Sequence, residues 1–189
     1  MPRAGLSRER LIEAGGELAD REGFAALTLA ALARQFEVKL ASLYAHVRNS
    51  DDLKAGIALQ ALDLLAQRAE AAVAGRAGKE ALIALADVHR GFAREHPGLF
   101  DAARTPLSAE QAAGSGGVRL AQTMLAALRG YGLSGPDQVH AVRLLGSFFL
   151  GFSLLERGGS FAHSQPEPDF SWQRGLDAID LTLQSWTMT

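Results

Sequence analysis

The stretch 27–53, LTLAALARQFEVKLASLYAHVRNSDDL, constrains the fold more than any other part of this chain. Leu29, Leu32, Ala33 and Phe36 recur at i, i+3, i+4 and i+7, which places them on one buried face of a short helix. Thr28 stands just before them and suits an N-cap, because its hydroxyl can accept from an orphan helical N–H. Val38 then reads as the buried residue of a tight turn, and Leu43 and Val47 as the inner face of a further short helix. Asn49-Ser50-Asp51 supplies a stop and a new start. Two short helices joined by a tight turn and followed at once by a longer one form the layout of a helix-turn-helix DNA reader coupled to a lever.

The flanking sequence continues in the same period. Ser7 suits an N-cap, and Leu11, Ile12, Gly15, Leu18 and Ala19 define one apolar face behind it, with Gly23 expected as a left-handed cap. A helix over 51–74 is apolar on most sides around 57–66, as in a helix buried within a bundle, and Gly75 and Gly78 break it. Leu82, Leu85, Ala86, His89, Phe92 and Ala93 mark the next stripe, which stops at His96-Pro97-Gly98. A short turn or helix is expected from Leu99-Phe100, and a loop or frayed helix start over 113–117. Leu120, Met124, Leu125 and Leu128 form another face, closed by Gly130 and Gly132. Ser134-Gly135-Pro136-Asp137 opens a long helix ending near Arg157, and a last helix is expected over 170–186. The reading is all-α, with about nine helices: a three-helix helix-turn-helix domain over 1–50 and a larger helical domain over 51–189.

Composition narrows the function classes. Hydrophobic residues make up 48% of the 189, enough for a full core, and β-branched residues are sparse, which favours helix. There is no cysteine, so disulfides and thiolate metal sites are excluded. The net charge of −2 argues against non-specific coating of nucleic acid, but a specific reader needs only local positive charge. Arg3, Arg8, Lys39, Arg48 and Lys54 lie in or near the candidate reader. The N-terminus has no signal-peptide pattern, and the longest apolar run, 144–155, is short for a bilayer and broken by Gly and Ser. A cytoplasmic protein without membrane attachment is the expectation. The five histidines, at 46, 89, 96, 140 and 163, are scattered. No Glu-x-x-His, His-Glu-x-x-His or G-x-S-x-G element accompanies them, so an enzyme, a metal site and a cofactor are not expected.

Over residues 7–53 the chain resembles the TetR family of bacterial repressors. The likeness is carried by Gly23-Phe24, Thr28, Leu32-Ala33, Val38, Leu43-Tyr44, His46-Val47 and Leu53. The later part is similar to the C-terminal domain of one branch of that family, through residues 93–100 (AREHPGLF) and 151–161 (GFSLLERGGSF). Two departures stand out. Glu37 occupies the turn position where the family has glycine, and Ser50 stands where it commonly has a phosphate-contacting lysine.

The resemblance implies a recognition helix near 40–46 in the major groove. Lys39, Leu40, Ala41, Ser42 and Ala45 would then face base edges, with Lys39 on guanine acceptors and the apolar side chains on thymine methyls. Thr28, Tyr44, His46, Arg48 and Asn49 would contact phosphates, and Arg3 would reach from a flexible arm. The resemblance also implies a homodimer that binds an approximately palindromic operator in double-stranded DNA. In the last helix Trp172, Leu176, Ile179, Leu183 and Trp186 alternate at spacings of four and three, a helix-packing seam. With Gly146 and Ser153 of the preceding helix it is expected at the dimer interface. An apolar effector pocket is expected from His89, Phe92, Phe100, Met124, Leu128, Phe148 and Phe152. The competing reading is a helical adaptor, or a small-molecule binder that has lost specific DNA binding.

Overall fold

A computed structural model describes residues 6–186, and among them the chain is all helix, with ten α-helices and two short 3-10 turns. Arg3 lies outside the described residues. The helices are α1 (Arg8–Glu22), α2 (Leu29–Gln35), α3 (Leu40–Leu43), α4 (Ser50–Val73) and α5 (Gly78–Glu95). They continue with α6 (Pro97–Ala102), α7 (Ala109–Ala113), α8 (Gly116–Leu128), α9 (Pro136–Arg157) and α10 (Pro168–Ser185). The 3-10 turns are Phe24–Ala26 and Arg129–Tyr131. The short α7 starts at a capping box between Ser108 and Gln111, just ahead of the loop or frayed helix start expected over 113–117. Gly23 closes α1 with φ 90° and ψ 143°, an extended left-handed geometry and not the αL cap expected of it.

The chain divides into two compact units. Within the described residues the first runs to Leu64 and takes in His96–Gly116, and the second comprises Leu65–Glu95 and the chain from Gly117 on. The partition differs from a cut after residue 50. The first half of α4 buries Leu53, Ile57, Ala58 and Ala61, so it belongs to the core of the N-terminal helices. Gly15 and Gly56 accept the Ile57 and Ile12 side chains so closely that a Cβ at either would overlap them.

In this first unit α6 returns to α1. A Cβ on Gly98 would overlap the Ala19 carbonyl group, so only glycine permits that approach. Asp20 on α1 accepts the Gly98 and Leu99 N–H groups at 2.8 and 2.9 Å and the His96 Nδ1–H at 2.8 Å. One carboxylate thereby satisfies orphan donors at the start of α6.

The second unit has its own core, in which Leu82, Leu85, Met124, Leu128, Leu145, Phe149, Trp172, Leu176 and Leu183 are buried together. Tyr131 O–H donates to the buried Asp180 carboxylate at 2.7 Å, which also accepts from Gln184 at 3.1 Å. By length and composition α9 is apolar enough to cross a membrane, although its run of uncharged residues is short. Its Ala141, Leu145, Phe149 and Ser153 are buried along one face.

Candidate nucleic-acid interface

Thr28 caps α2 as expected: the Ala31 N–H donates to its Oγ1 at 3.1 Å. Leu29, Leu32 and Ala33 are buried beneath the helix. The turn that follows is a Schellman motif. The Val38 N–H donates to the Ala33 carbonyl at 3.0 Å and the Glu37 N–H to the Arg34 carbonyl at 3.1 Å. Glu37 takes the αL position of that motif with φ 54°, where an L side chain is strained. The turn is therefore of ordinary geometry, with its strain held at one residue. Val38 is half-buried.

The recognition element is shorter than the expected 40–46. Its α-helix ends at Leu43, and the Leu43 carbonyl accepts from the His46 and Val47 N–H groups at 2.9 and 3.0 Å, carrying the chain on as turns. Leu43 and Val47 are buried and hold the element down. Lys39, Leu40, Ala41, Ser42, Tyr44 and Ala45 are all exposed around that anchor, with Leu40 at 40% and Tyr44 at 54%. His46 is half-buried, and Thr28, Arg48 and Asn49 are exposed. The ten expected DNA-contacting residues thus lie within one unit and at or near its surface.

Asn49 caps α4 by accepting the Asp52 N–H at 2.8 Å on its Oδ1, which leaves its NH2 group as the donor it can offer outward. Asp52 accepts two hydrogen bonds from the Arg8 guanidinium, at 2.8 and 2.9 Å, and one from the Arg48 N–H at 2.9 Å. The hydrogen bond from Arg8 holds the Asp52 carboxyl well below the usual carboxylate range, against the opposing effect of burial. The Arg48 side chain lies 3.5 Å from Asp52 yet stays 85% exposed, so its charge remains presented to solvent. Asp52 thereby ties the start of α1 and the segment after the recognition element to α4. Its partner Arg8 lies 44 residues away in the chain, so local spacing did not reveal the pair.

The second unit presents a groove of about 870 Å³ between the end of α4 and α5. Ala72, Ile83, Ala84, Val88 and Phe92 line it, with Arg68 and Glu95 at one end, 2.7 Å apart. Of the residues expected at an effector pocket, Phe92 lines this groove. His89 is buried, and its Nδ1–H donates to the Leu85 carbonyl at 2.8 Å. Burial pushes its pKa down, which favours the neutral ring of a satisfied core histidine. Met124 and Leu128 are buried in the core. Phe148 stacks on Trp172 with centroids 5.1 Å apart, and Phe152 tilts against the same ring at 5.0 Å. Phe100 lies in the first unit, beneath the Arg104 guanidinium.

The expected dimer seam also needs correction. Ser153 on α9 and Trp172, Leu176, Ile179 and Leu183 on α10 are buried within the chain itself, the α10 stripe packing on α5 and α9 of its own unit. Trp186 is half-buried. Gly146 does face open space. Large apolar side chains left exposed in this unit include Phe170 at 69% and Leu181 at 66% on α10, Val139, Leu154 and Leu155 on α9, and Val118 on α8.

Sequence reasoning missed the network that joins α5, α9 and α10. Arg90 is buried and donates through Nε to Glu156 at 3.0 Å, pairs a second time with the same carboxylate, and reaches Asp169 at 2.7 Å. Its guanidinium lies 5.1 Å from the ring centroids of both Phe152 and Trp172. Arg94 adds a hydrogen bond of 2.8 Å to Glu156. No local pattern announces such a group, since its partners lie more than sixty residues on.

Residues 82–179 match the model of a tetracyclin repressor-like C-terminal domain. The chain is 35% identical over 158 residues to the uncharacterized HTH-type transcriptional regulator Rv0681 of Mycobacterium tuberculosis, covering 82% of this chain and 72% of the relative. It is 32% identical over 161 residues to the uncharacterized HTH-type transcriptional regulator YobS of Bacillus subtilis, covering 82% of this chain and 81% of the relative. Its fold is similar to that of apo ActR from Streptomyces coelicolor, with a TM-score of 0.75 at 22% identity over 96% of each chain. A further crystal structure holds ActR in complex with (S)-DNPA, and there the TM-score is 0.69 at 21% identity, over 96% of this chain and 98% of that one.

Proposed function

This chain belongs to the TetR family of helix-turn-helix transcriptional regulators, and on that footing we propose that it is a homodimeric, ligand-responsive repressor of an approximately palindromic operator. The observation that carries the DNA-reading part is the exposed rim from Lys39 to Ala45 around the buried anchors Leu43 and Val47. A solvent-facing rim of that kind is poorly explained by a helical adaptor, which would present a core-like face. Lys39, Leu40, Ala41, Ser42 and Ala45 meet base edges, and Thr28, Tyr44, His46, Arg48 and Asn49 meet phosphates. Two such readers enter major grooves about one helical turn apart.

The dimer forms through the exposed face of α9 and α10, around Val139, Gly146, Leu154, Phe170 and Leu181. Large apolar side chains that exposed are unusual on a monomer. An unidentified small, mostly apolar effector occupies the second unit. The groove between α4 and α5 is of ordinary size for such a ligand. ActR, which shares the fold, has been crystallised in complex with (S)-DNPA. α4 runs from the first unit into the second, so a ligand that favours one placement of α4 changes operator affinity. The protein acts in the cytoplasm, as a regulator and not a catalyst.

The test is a gel shift on the duplex the protein selects from a random pool. Replacing Lys39 and Tyr44 together by Ala should abolish the shift while leaving helicity and oligomeric state unchanged. An undiminished shift contradicts the placement of the reader. Operator DNA must also weaken effector binding by the factor by which effector weakens DNA binding.

A further inference from the structure

The exposed side chains of the reading element are notable for what they lack. From Lys39 to Ala45 they offer an ammonium (Lys39), an aliphatic hydroxyl (Ser42), a phenol (Tyr44) and the apolar ends of Leu40, Ala41 and Ala45. That segment contains no Asn, Gln, Arg, Asp or Glu. The bidentate amide pairing that reads adenine and the guanidinium pairing that reads guanine are therefore unavailable to it. Leu40 stands out in a second way. It is 40% exposed, whereas every other described leucine of the first unit is buried or half-buried. The fold does not require an apolar group there, because Leu43 and Val47 anchor the element from its other side.

The major groove offers one apolar group on a base edge, the C5 methyl of thymine. We propose that this protein reads its operator chiefly through thymine methyls. Leu40 is the residue that sets specificity, Ala41 and Ala45 flank it, and Lys39 supplies the guanine contact. The proposal rests on the DNA-reading function of this element and adds what that element selects. Burial of one methyl-sized group corresponds to about a fourfold change in affinity.

The experiment uses the full chain and the duplex it enriches from a random pool. In that duplex each thymine is replaced in turn by uracil, which keeps the base-pairing edge and loses only the methyl. Affinities of the wild type and of Leu40→Ala are measured by fluorescence anisotropy. Uracil at one or two positions in each half-site should weaken the wild type about fourfold. At those positions Leu40→Ala should bind the thymine and uracil duplexes equally, as a coupled pair in a double-mutant cycle. Leu40 is exposed and alanine is a good helix former, so an unchanged melting curve is expected for the variant. If uracil leaves the wild-type affinity unchanged throughout, or if Leu40→Ala loses as much on uracil as on thymine duplex, methyl reading by Leu40 is overturned. Failure to enrich any duplex would overturn the DNA-reading function itself, and would be seen before any base is replaced.

Discussion

Glu37 holds a backbone conformation that favours glycine, at φ 54°, in the turn between the two helices of the reader. Glu37→Gly removes a strain of about 1 kcal/mol and an acidic charge close to the expected DNA surface. We expect the melting temperature to rise by about 2–4 °C and operator affinity to increase. A fall in melting temperature would mean that the Glu37 side chain contributes more than its backbone costs. Gly98→Ala should act in the opposite direction and more strongly. Its new methyl meets the Ala19 backbone, which cannot swing away as a side chain does. A loss of about 3 kcal/mol or more in denaturant unfolding is expected, typical of severe overpacking. The residue scale also marks where the sequence was legible. The caps at Ser7 and Thr28 were readable because a cap is decided by residues three apart. Asp20 was not, since the N–H groups it satisfies lie more than seventy residues away.

At the scale of elements, periodicity located the helices well, because burial of one face repeats every turn. What it left open was the identity of the surface each face meets. The stripe from Trp172 to Leu183 was legible as a packing seam, but the same spacing serves an intrachain neighbour and a second copy equally well. The structure pairs it with α5 and α9 of its own chain, and the Arg90–Glu156–Asp169 network closes that packing. Arg90→Ala leaves the Glu156 carboxylate with less compensation in a mostly buried setting. Unfolding free energy should drop by about 3 kcal/mol, with Arg90→Lys only partly restoring it, because an ammonium cannot pair bidentately. Full stability in the lysine variant would contradict that role.

For the whole molecule, two properties depend on groups spread across both units. The first is pH. Burial lowers the His89 pKa, so the unfolded chain binds that proton more readily, and stability begins to fall as pH drops through about 6.5. Asp52 and Asp169 are held low by hydrogen bonds from Arg8 and Arg90 respectively. Burial pushes Glu156 up, and Arg90 and Arg94 outweigh it. The stability from these carboxylates is present above about pH 4 and is lost as pH falls below it. Thermal melts should therefore show a shallow decline below about pH 6.5 and a steep one below about pH 4. The second property is association. Leu181→Asp on the exposed face of α10 should yield folded monomer by sedimentation, whereas a variant that remains dimeric would place the interface elsewhere.

The central claim is that two copies of the reader bind one specific duplex. Selection from random duplex DNA by the purified dimer at near-physiological salt tests it most directly. The account predicts enrichment of a single inverted repeat whose half-site centres lie about one helical turn apart. The absence of any enriched sequence, from protein shown to be folded and dimeric, would contradict it.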